Sequence, residues 1–579
     1  MIEAVSLRSV IEIYKPFFTR RTSTAWQWLY IALLFVGNIT QAILIVVINT
    51  SFNYFFGILI APSPSLPVLF WSVAYYLAAV GGYTFTAWLN SFAGDKLINH
   101  LNQMVTDNFL TRWMQSKTYY GANFLSKRQI VNPAGILSYD IQEANRLTVK
   151  LGDNLLNTFF AFVAGLYGLW QLSSPLTFEI AAMVFTIPGY MAIGALIYAL
   201  AYNFIVSKIG SRLKSTTEKQ YKIISKLEAH AHHIEKNAEG IELLQVRDQE
   251  KKGFLYRLQK SKKPYAIMAW LQSGLASFTA LNEHLRFFIG VLLSVPQILA
   301  EKMSIDNLIT VGDYFTRVAS FFTWRHDKYE DATNLEVHVG KLQALQNEMA
   351  EWEAIRSKNE LTFTKGRELA LIELLIERPD KTCILRQRHF AFRNHNITLI
   401  QGKSGVGKST LFRVLTGLWP YVKGTISLPV EKAKIHVIPQ RPIFPNDANL
   451  YEAIAYKSER ELTTVTKDKM DSLLKAFKIE KSVLAQKDEK RDWSKMLSGG
   501  EQQRLAFIRA ILFNPELLLM DEPFSALNYA MKLLCEKMLK KYLPSTTIVY
   551  IDHSPQGAAE NGSNTERVIF ERKRLTSRR

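Results

Sequence analysis

Gly402-Lys403-Ser404-Gly405-Val406-Gly407-Lys408-Ser409 is the stretch on which the reading of this chain turns. It fits the pattern G-x-x-x-x-G-K-[ST], after the strand-like run Ile397–Ile400 and before the helix-like run Thr410–Leu415. A glycine-rich turn in that place lets backbone N–H groups curl round phosphate oxygens at the positive end of a helix. Gly402, Lys403, Ser404, Gly405, Val406, Gly407 and Thr410 then frame the phosphates of ATP. Lys408 neutralises β- and γ-phosphate charge, and the Ser409 hydroxyl ligates Mg2+. Downstream, Leu517-Leu518-Leu519-Met520-Asp521-Glu522 reads as a buried strand ending in two carboxylates. Asp521 is suited to hold Mg2+ and Glu522 to polarise an attacking water. Around these motifs Leu-rich and β-branched runs alternate with helical patterns, which predicts an α/β domain with a largely parallel sheet.

The other half of the chain has a different chemistry. No Asp, Glu, Lys or Arg occurs from Thr22 to Gly94, a run of 73 residues that no soluble domain tolerates. Six apolar segments have about the length that a bilayer core requires: Trp26–Val47, Val68–Leu89, Leu155–Leu172, Ile180–Ile205, Ala266–Leu299 and Leu308–Trp324. The chain turns polar after about Gln346, which predicts a transmembrane domain over 1–345, a linker over 346–367 and a nucleotide-binding domain over 368–579.

The formal charge of +19 invites a nucleic-acid reading, but its distribution argues for a membrane. Residues 1–25, 95–150 and 207–264 carry four, seven and fourteen Lys or Arg, whereas the intervening short loops carry one, Lys302. The positive-inside rule puts the charged loops, and with them both termini, in the cytoplasm. The loop 207–264 reads as helix, and its His230, His232 and His233 read as a solvated or coupling face rather than a metal site. Cys383 and Cys535 form no framework of spaced pairs, and the N-terminus lacks the apolar core of a signal peptide.

Leu497-Ser498-Gly499-Gly500-Glu501-Gln502-Gln503-Arg504 is needed by no general phosphate-loop ATPase. It resembles the LSGGQ signature of the ABC transporter family. The resemblance implies an all-α six-helix transmembrane domain of the exporter type followed by the α/β ATPase domain. It also implies that Ser498, Gly499 and Gly500 touch the γ-phosphate held by a second subunit, so that a homodimer is the expected working unit, with a heterodimer as the alternative. Gln440, in Ile438-Pro439-Gln440-Arg441-Pro442, matches the family's Q-loop, which senses Mg2+ and communicates with the membrane loops near Asn132–Asp140 and Glu239. His553, after the apolar run Thr547–Ile551, matches the switch histidine.

Within the family the chain resembles the group that joins peroxisomal acyl-CoA half-transporters to bacterial BacA/SbmA-like proteins. Arg112-Trp113 with Tyr119-Tyr120, Asn132-Pro133 with Asp140-Ile141, Asn237–Ile241, Pro439-Gln440-Arg441-Pro442 and Asp492-Trp493-Ser494 carry that likeness. Four departures stand out: Glu501 in the fifth signature position, Asn528 where the D-loop usually has Asp, no aromatic at Arg378-Pro379-Asp380, and an apolar Ala134–Leu137. The resemblance implies ATP-driven transport of a bulky hydrophilic solute such as cobalamin or a peptide across a bacterial inner membrane. An acyl-CoA or lipid transporter and an ATP-gated channel remain as alternatives. Glu283 with Arg286 and Asp313 with Arg317 are spaced to meet on one helix face, and charges at such depth face a bundle interior or wet cavity. They are the candidate substrate-cavity residues.

Overall fold

The computed structural model describes residues 11, 13–14, 25–60, 65–124, 132–180, 183–429, 434–458, 461–552, 565–571 and 573–578. The chain divides into two compact units between Trp352 and Glu353.

In the first unit the charge-free run forms two helices, α1 (Ala25–Ile60) and α2 (Leu66–Ser116). Pro67 lies in the first turn of α2, where its missing N–H has no partner to lose. The next helix, α3 (Ile141–Leu172), is entered through a turn capped by Asn132, whose Oδ1 accepts from Gly135 N at 3.0 Å. A single π-helical turn, Ile136–Asp140, follows that cap.

The predicted fourth apolar segment does not start as a helix. Leu176–Ile180 (β1) and Met183–Ile187 (β2) pair antiparallel, with Phe178 opposite Phe185 and Thr177 opposite Thr186. Phe, Thr, Ile and Val fit a pleated ribbon, and a short apolar run does not by itself separate strand from helix. Pro188-Gly189 then turns the chain into α4 (Tyr190–Lys236).

The long cytoplasmic helix expected over 207–264 is likewise broken. Asn237 ends α4, a short α5 (Ala238–Leu243) follows, and Gln245 at φ 56° turns the chain into α6 (Arg247–Leu299). Next come α7 (Asn307–Asp327) and α8 (Tyr329–Ser357). The stretches Trp26–Ile60, Leu66–Ser116, Pro133–Leu172 and Arg247–Leu299 are long and apolar enough to cross a membrane, and Tyr190–Val206 is a shorter apolar helix stretch.

Two apolar clusters hold this unit together. Leu97, Leu101, Val105 and Phe109 form a four-residue repeat on α2 that packs with Ile141 and Ala144 of α3 and Val339, Leu342, Leu345 and Met349 of α8. Met191 and Ala195 of α4 pack with Leu169 of α3 and with Val311, Phe315 and Val318 of α7. The close approach of α3 to α7 depends on Gly168, where a Cβ would stand 2.2 Å from the Tyr314 ring. The polar stretch predicted as a linker is helical up to Ser357. Met349 and Trp352 keep one face of α8 buried while Glu351 lies exposed.

The second unit contains two sheets. Strands β3 (Glu360–Lys365), β4 (Leu369–Glu377), β5 (Cys383–Phe392) and β7 (Val422–Leu428) form one in the order β3-β7-β4-β5. The other has the order β12-β11-β6-β10-β9-β8, from β6 (Ile397–Gln401), β8 (Ile435–Ile438), β9 (Leu517–Asp521), β10 (Thr547–Ile551), β11 (Thr565–Glu571) and β12 (Arg574–Arg578). All its pairings are parallel except β11 with β12. Leu517, Leu518 and Leu519 are fully buried, as a strand covered on both faces requires. Helices α9 (Lys408–Leu415), α10 (Leu450–Ala455), α11 (Thr464–Ala476), α12 (Gly499–Phe513) and α13 (Tyr529–Tyr542) accompany the sheet. The core joins Phe507 and Ile511 of α12 to Leu473 and Phe477 and to the strand residues Leu518 and Ile548.

Candidate active site

Strands β6, β10, β9 and β8 are neighbours in the parallel sheet, so their C-terminal ends share one edge, where parallel sheets place ligands. The loop after β6 is the glycine-rich turn, with Gly405 and Gly407 at φ 76° and 111°. A Cβ on Gly402 would stand 2.6 Å from the Phe570 carbonyl oxygen, so the first glycine is required by close backbone packing. Lys408 opens α9, is almost wholly buried, and donates from Nζ to the carbonyls of Gly402 at 2.7 Å and Lys403 at 3.0 Å. The lysine thereby spans its own loop. Burial lowers its pKa from the ordinary lysine value, opposed by the carboxylates of Glu522 and Asp521.

Asp521 ends β9. Burial raises its pKa, a hydrogen bond with the Ser409 side chain opposes the shift, and the like charge of Glu522 adds to it. The hydroxyl of Ser409 and the carboxylate of Asp521 are hard oxygen donors brought together, a donor set that fits Mg2+. Glu522 has φ 47°, a left-handed conformation that costs a non-glycine residue about 1 kcal/mol or more, and its N–H donates to Ile551 O at 3.0 Å. Gln440 Nε2 donates to Glu522 Oε2 at 2.8 Å. The structure thus brings together Gly402, Lys403, Lys408, Ser409, Asp521, Glu522 and Gln440. His553 lies outside the described residues; its neighbour Asp552 accepts from Lys532 Nζ at 2.9 Å.

Ser498, Gly499 and Gly500 stand at the start of α12, away from that cluster in sequence. Ser498 is the N-cap. Its Oγ accepts from Glu501 N at 3.4 Å, while Glu501 Oε2 accepts from Ser498 N at 3.0 Å and from Ser498 Oγ at 2.7 Å. Glu501 therefore completes a capping box, a physical role for the departure from Gln. Asn528 has an equivalent role at α13, accepting from Met531 N at 2.9 Å. Gln503, which sequence reading passed over, links the signature helix to the following loop: its amide donates to Ser525 Oγ at 2.9 Å and accepts from Ala526 N at 3.1 Å.

In the membrane unit, Asp313 Oδ2 accepts from Arg317 Nε at 2.7 Å and from Asn49 Nδ2 of α1 at 2.9 Å. Arg286 donates to Ser320 Oγ at 3.0 Å and stands 3.8 Å from Glu283, whose side chain is 61% exposed. Each i,i+3 or i,i+4 pair meets, although only Asp313–Arg317 is a short ion pair.

Sequence reading missed the amides. Asn38 donates to Asp153 at 2.8 Å, Gln41 accepts from Asn157 at 2.6 Å, and Asn53 donates to Asn307 at 2.9 Å. With Asn49 these residues repeat at helical spacing along one face of α1, a pattern legible in the charge-free run once amides are counted. Asp140 is a second such residue. It is buried and takes His338 Nδ1 at 2.6 Å and Lys341 Nζ at 2.9 Å from α8. His230 is not solvated: it is buried, 2.6 Å from Glu250, and also contacts Arg257. Among the described residues no cluster of His, Cys, Asp or Glu could hold a metal ion by itself.

Two family models match the chain: the ABC transporter transmembrane region 2 over residues 13–270 and the ABC transporter over residues 385–525. The inner membrane ABC transporter ATP-binding protein YddA of Escherichia coli is 22% identical over 559 residues, covering 95% of this chain and 96% of YddA. Human ATP-binding cassette sub-family D member 3 is 24% identical over 73% of this chain and 68% of its own length. A solved bacterial Atm1-family ABC exporter with ATP bound shares the fold, with a TM-score of 0.68 at 18% identity, over 93% of this chain and 94% of that one. With a transmembrane unit of one matching family and an ATPase unit of the other on a single polypeptide, the chain is an ABC half-transporter, an integral membrane protein whose ATPase activity is coupled to transport.

Proposed function

We propose that two copies of the chain form a homodimer that uses ATP hydrolysis to carry a bulky hydrophilic solute, of the cobalamin or peptide class, across a bacterial inner membrane. The observation that carries this reading is the Asp313–Arg317–Asn49 set, in which a carboxylate and a guanidinium of α7 meet an amide of the apolar helix α1. Charged groups at membrane depth are costly and are retained where they face a bundle interior or a water-filled path. The YddA likeness supports the bacterial inner membrane, and the loop charges support cytoplasmic termini.

In the proposed cycle ATP lies on the loop 402–409, with Lys408 on the β- and γ-phosphates. Mg2+, when bound, neutralises phosphate charge, and Ser409 and Asp521 are the residues that would hold it. Glu522 takes the proton of the attacking water, Gln440 orients that carboxylate, and His553, the match to the switch histidine, assists. Ser498, Gly499 and Gly500 of the second copy close over the γ-phosphate, because a helix N-terminus presents backbone donors to an anion. Closure and reopening of the two ATPase domains is the two-state element that drives alternating access.

The test is uptake of labelled cobalamin by bacteria lacking their own inner-membrane transporter and expressing this chain or Glu522→Gln. Uptake with the wild type and none with the variant supports hydrolysis-driven import. Equal flux through both indicates an ATP-gated channel. No uptake by either, with ATP hydrolysis intact in the wild type, removes cobalamin and makes acyl-CoA or lipid the next substrate to assay.

A further inference from the structure

Between α4 and α6 lies an open groove of about 470 Å³ lined by Arg212, Ser215 and Thr216 of α4 and by Ile267, Trp270 and Leu271 of α6. The two helices run antiparallel in a fixed register. Tyr190 Oη donates to Leu293 O at 2.6 Å, Tyr198 Oη to Asn282 Oδ1 at 2.6 Å, and Tyr202 stacks on Phe278 at 5.4 Å. Continuing that register sets Arg212 against 267–271.

The register also fixes the depth of the groove. The apolar stretch Tyr190–Val206 rises about 24 Å, at 1.5 Å per residue, most of the ~30 Å of a hydrocarbon core. The apolar stretch of α4 ends at Val206, and Arg212 stands six residues, about 9 Å, beyond it, at the start of the stretch 207–264, which carries fourteen basic residues against seven acidic ones.

The lining is chemically divided. Arg212 pairs with no carboxylate among the described residues, the Ser215 hydroxyl is beside it, and Thr216 Oγ1 donates to Arg212 O at 3.0 Å and keeps its lone pairs. The α6 side is apolar, and Trp270 is 75% exposed. A large indole left open next to a guanidinium that has no carboxylate partner among the described residues matches the usual interfacial anchoring of Trp and Arg.

The geometry points to a binding site for the head group of an anionic glycerophospholipid from the cytoplasmic leaflet. Arg212 and Ser215 donate to the phosphate oxygens, and Trp270, Ile267 and Leu271 cover the glycerol and upper acyl carbons. The excess of basic residues in the flanking loop draws anionic lipid toward the site.

The full-length protein is reconstituted in nanodiscs containing phosphatidylglycerol and phosphatidylcholine, released, and its retained lipids are counted by native mass spectrometry. Wild type is expected to retain phosphatidylglycerol in preference to phosphatidylcholine. Arg212→Ala is expected to retain about fivefold less of it, the effect of one interfacial cation, with Arg212→Lys recovering part. ATP hydrolysis in phosphatidylcholine alone should be unchanged in Arg212→Ala; if that variant fails to fold, Ser215→Ala with Trp270→Phe repeats the measurement. Equal phosphatidylglycerol retention by wild type and variant overturns the proposal. Displacement of the lipid by glycerol 3-phosphate overturns it in favour of a soluble anion. A Ser215→Cys cross-link between two copies overturns it in favour of a protein contact.

Discussion

Gln440 Nε2 and Glu522 Oε2 are joined at 2.8 Å although 82 residues separate them in the chain. Sheet register is the cause: β8 and β9 are parallel neighbours with Ile438 beside Met520, and Gln440 and Glu522 follow just past the ends of the two strands on the same edge. The carboxylate is thus oriented by a neutral amide donor. Replacing it by Glu522→Gln should lower ATP hydrolysis by about 100-fold or more and leave binding of a fluorescent ATP analogue unchanged. Gln440→Ala should have a smaller effect on rate. A Glu522→Gln protein that keeps more than about a tenth of the rate would remove Glu522 from the general-base role.

Two glycines of the phosphate loop should respond differently to alanine. At Gly402 the added carbon meets a backbone oxygen of β11 at 2.6 Å, which no side-chain movement relieves. At Gly405 nothing lies within 4 Å, and the only cost is a positive φ, about 1–2 kcal/mol. Gly402→Ala should lose ATP binding and lower the unfolding temperature, whereas Gly405→Ala should fold and bind roughly tenfold more weakly. Equal effects in a thermal-shift and binding series would show that the contact with Phe570 is not the constraint.

The Ser498–Glu501 capping box separates two roles for the signature residues. A glutamine in place of Glu501 can accept the same hydrogen bond from Ser498 N, whereas alanine cannot. Glu501→Gln should therefore hydrolyse ATP nearly as wild type, and Glu501→Ala should be weaker, with a helix cap worth about 1 kcal/mol missing. If Glu501→Gln proved as damaging as Glu501→Ala, the negative charge and not the cap would be the important property.

Asp313 holds both Arg317 and Asn49. Asp313→Ala leaves a guanidinium and an amide without their acceptor and should destabilise the membrane unit by about 1–3 kcal/mol, the lower part of the range for buried pairs because both side chains are near 30% exposed. Asp313→Asn keeps an acceptor and should fold. Asp313→Asn and Arg317→Ala, read in a transport assay, should both lower solute flux; normal uptake of every solute tested would sink the polar-path reading.

His436 on β8 packs against Phe513, with the rings tilted and their centroids 4.9 Å apart. Burial, with Arg509 adding to it, pushes its pKa down to about 4. The folded state therefore keeps the imidazole neutral while the unfolded chain binds a proton below about pH 6.5. The sign follows: its contribution to stability is complete above pH 6.5 and is lost as pH falls toward 4. His436→Phe should flatten the pH dependence of the unfolding midpoint across that window by up to about one proton. An unchanged slope would show that His436 does not contribute to acid sensitivity.

Legibility followed chain distance. The glycine-rich loop, the strand ending at Asp521 and the cap at Ser498 are contiguous, and their backbone conformations follow from the local order of residues. The helices of the membrane unit were legible as apolar segments, but the ribbon of β1 and β2 was not, because an apolar run at a membrane carries no unambiguous period. The polar stretch after Gln346 read as a boundary, yet Met349 and Trp352 keep it helical by packing on residues far upstream. Trp352 lies against Tyr120 and Phe124.

By itself, then, the sequence determined the order of domains, the membrane character of the first and the phosphate chemistry of the second, since each rests on local composition or contiguous spacing. The tertiary structure decided the partners. Asn38 meets Asp153, Asn49 meets Asp313, Asp140 meets His338, and Gln440 meets Glu522. Each pair is set by the rotation and register of packed elements, and burial forces a polar group there to find whichever partner the packing presents.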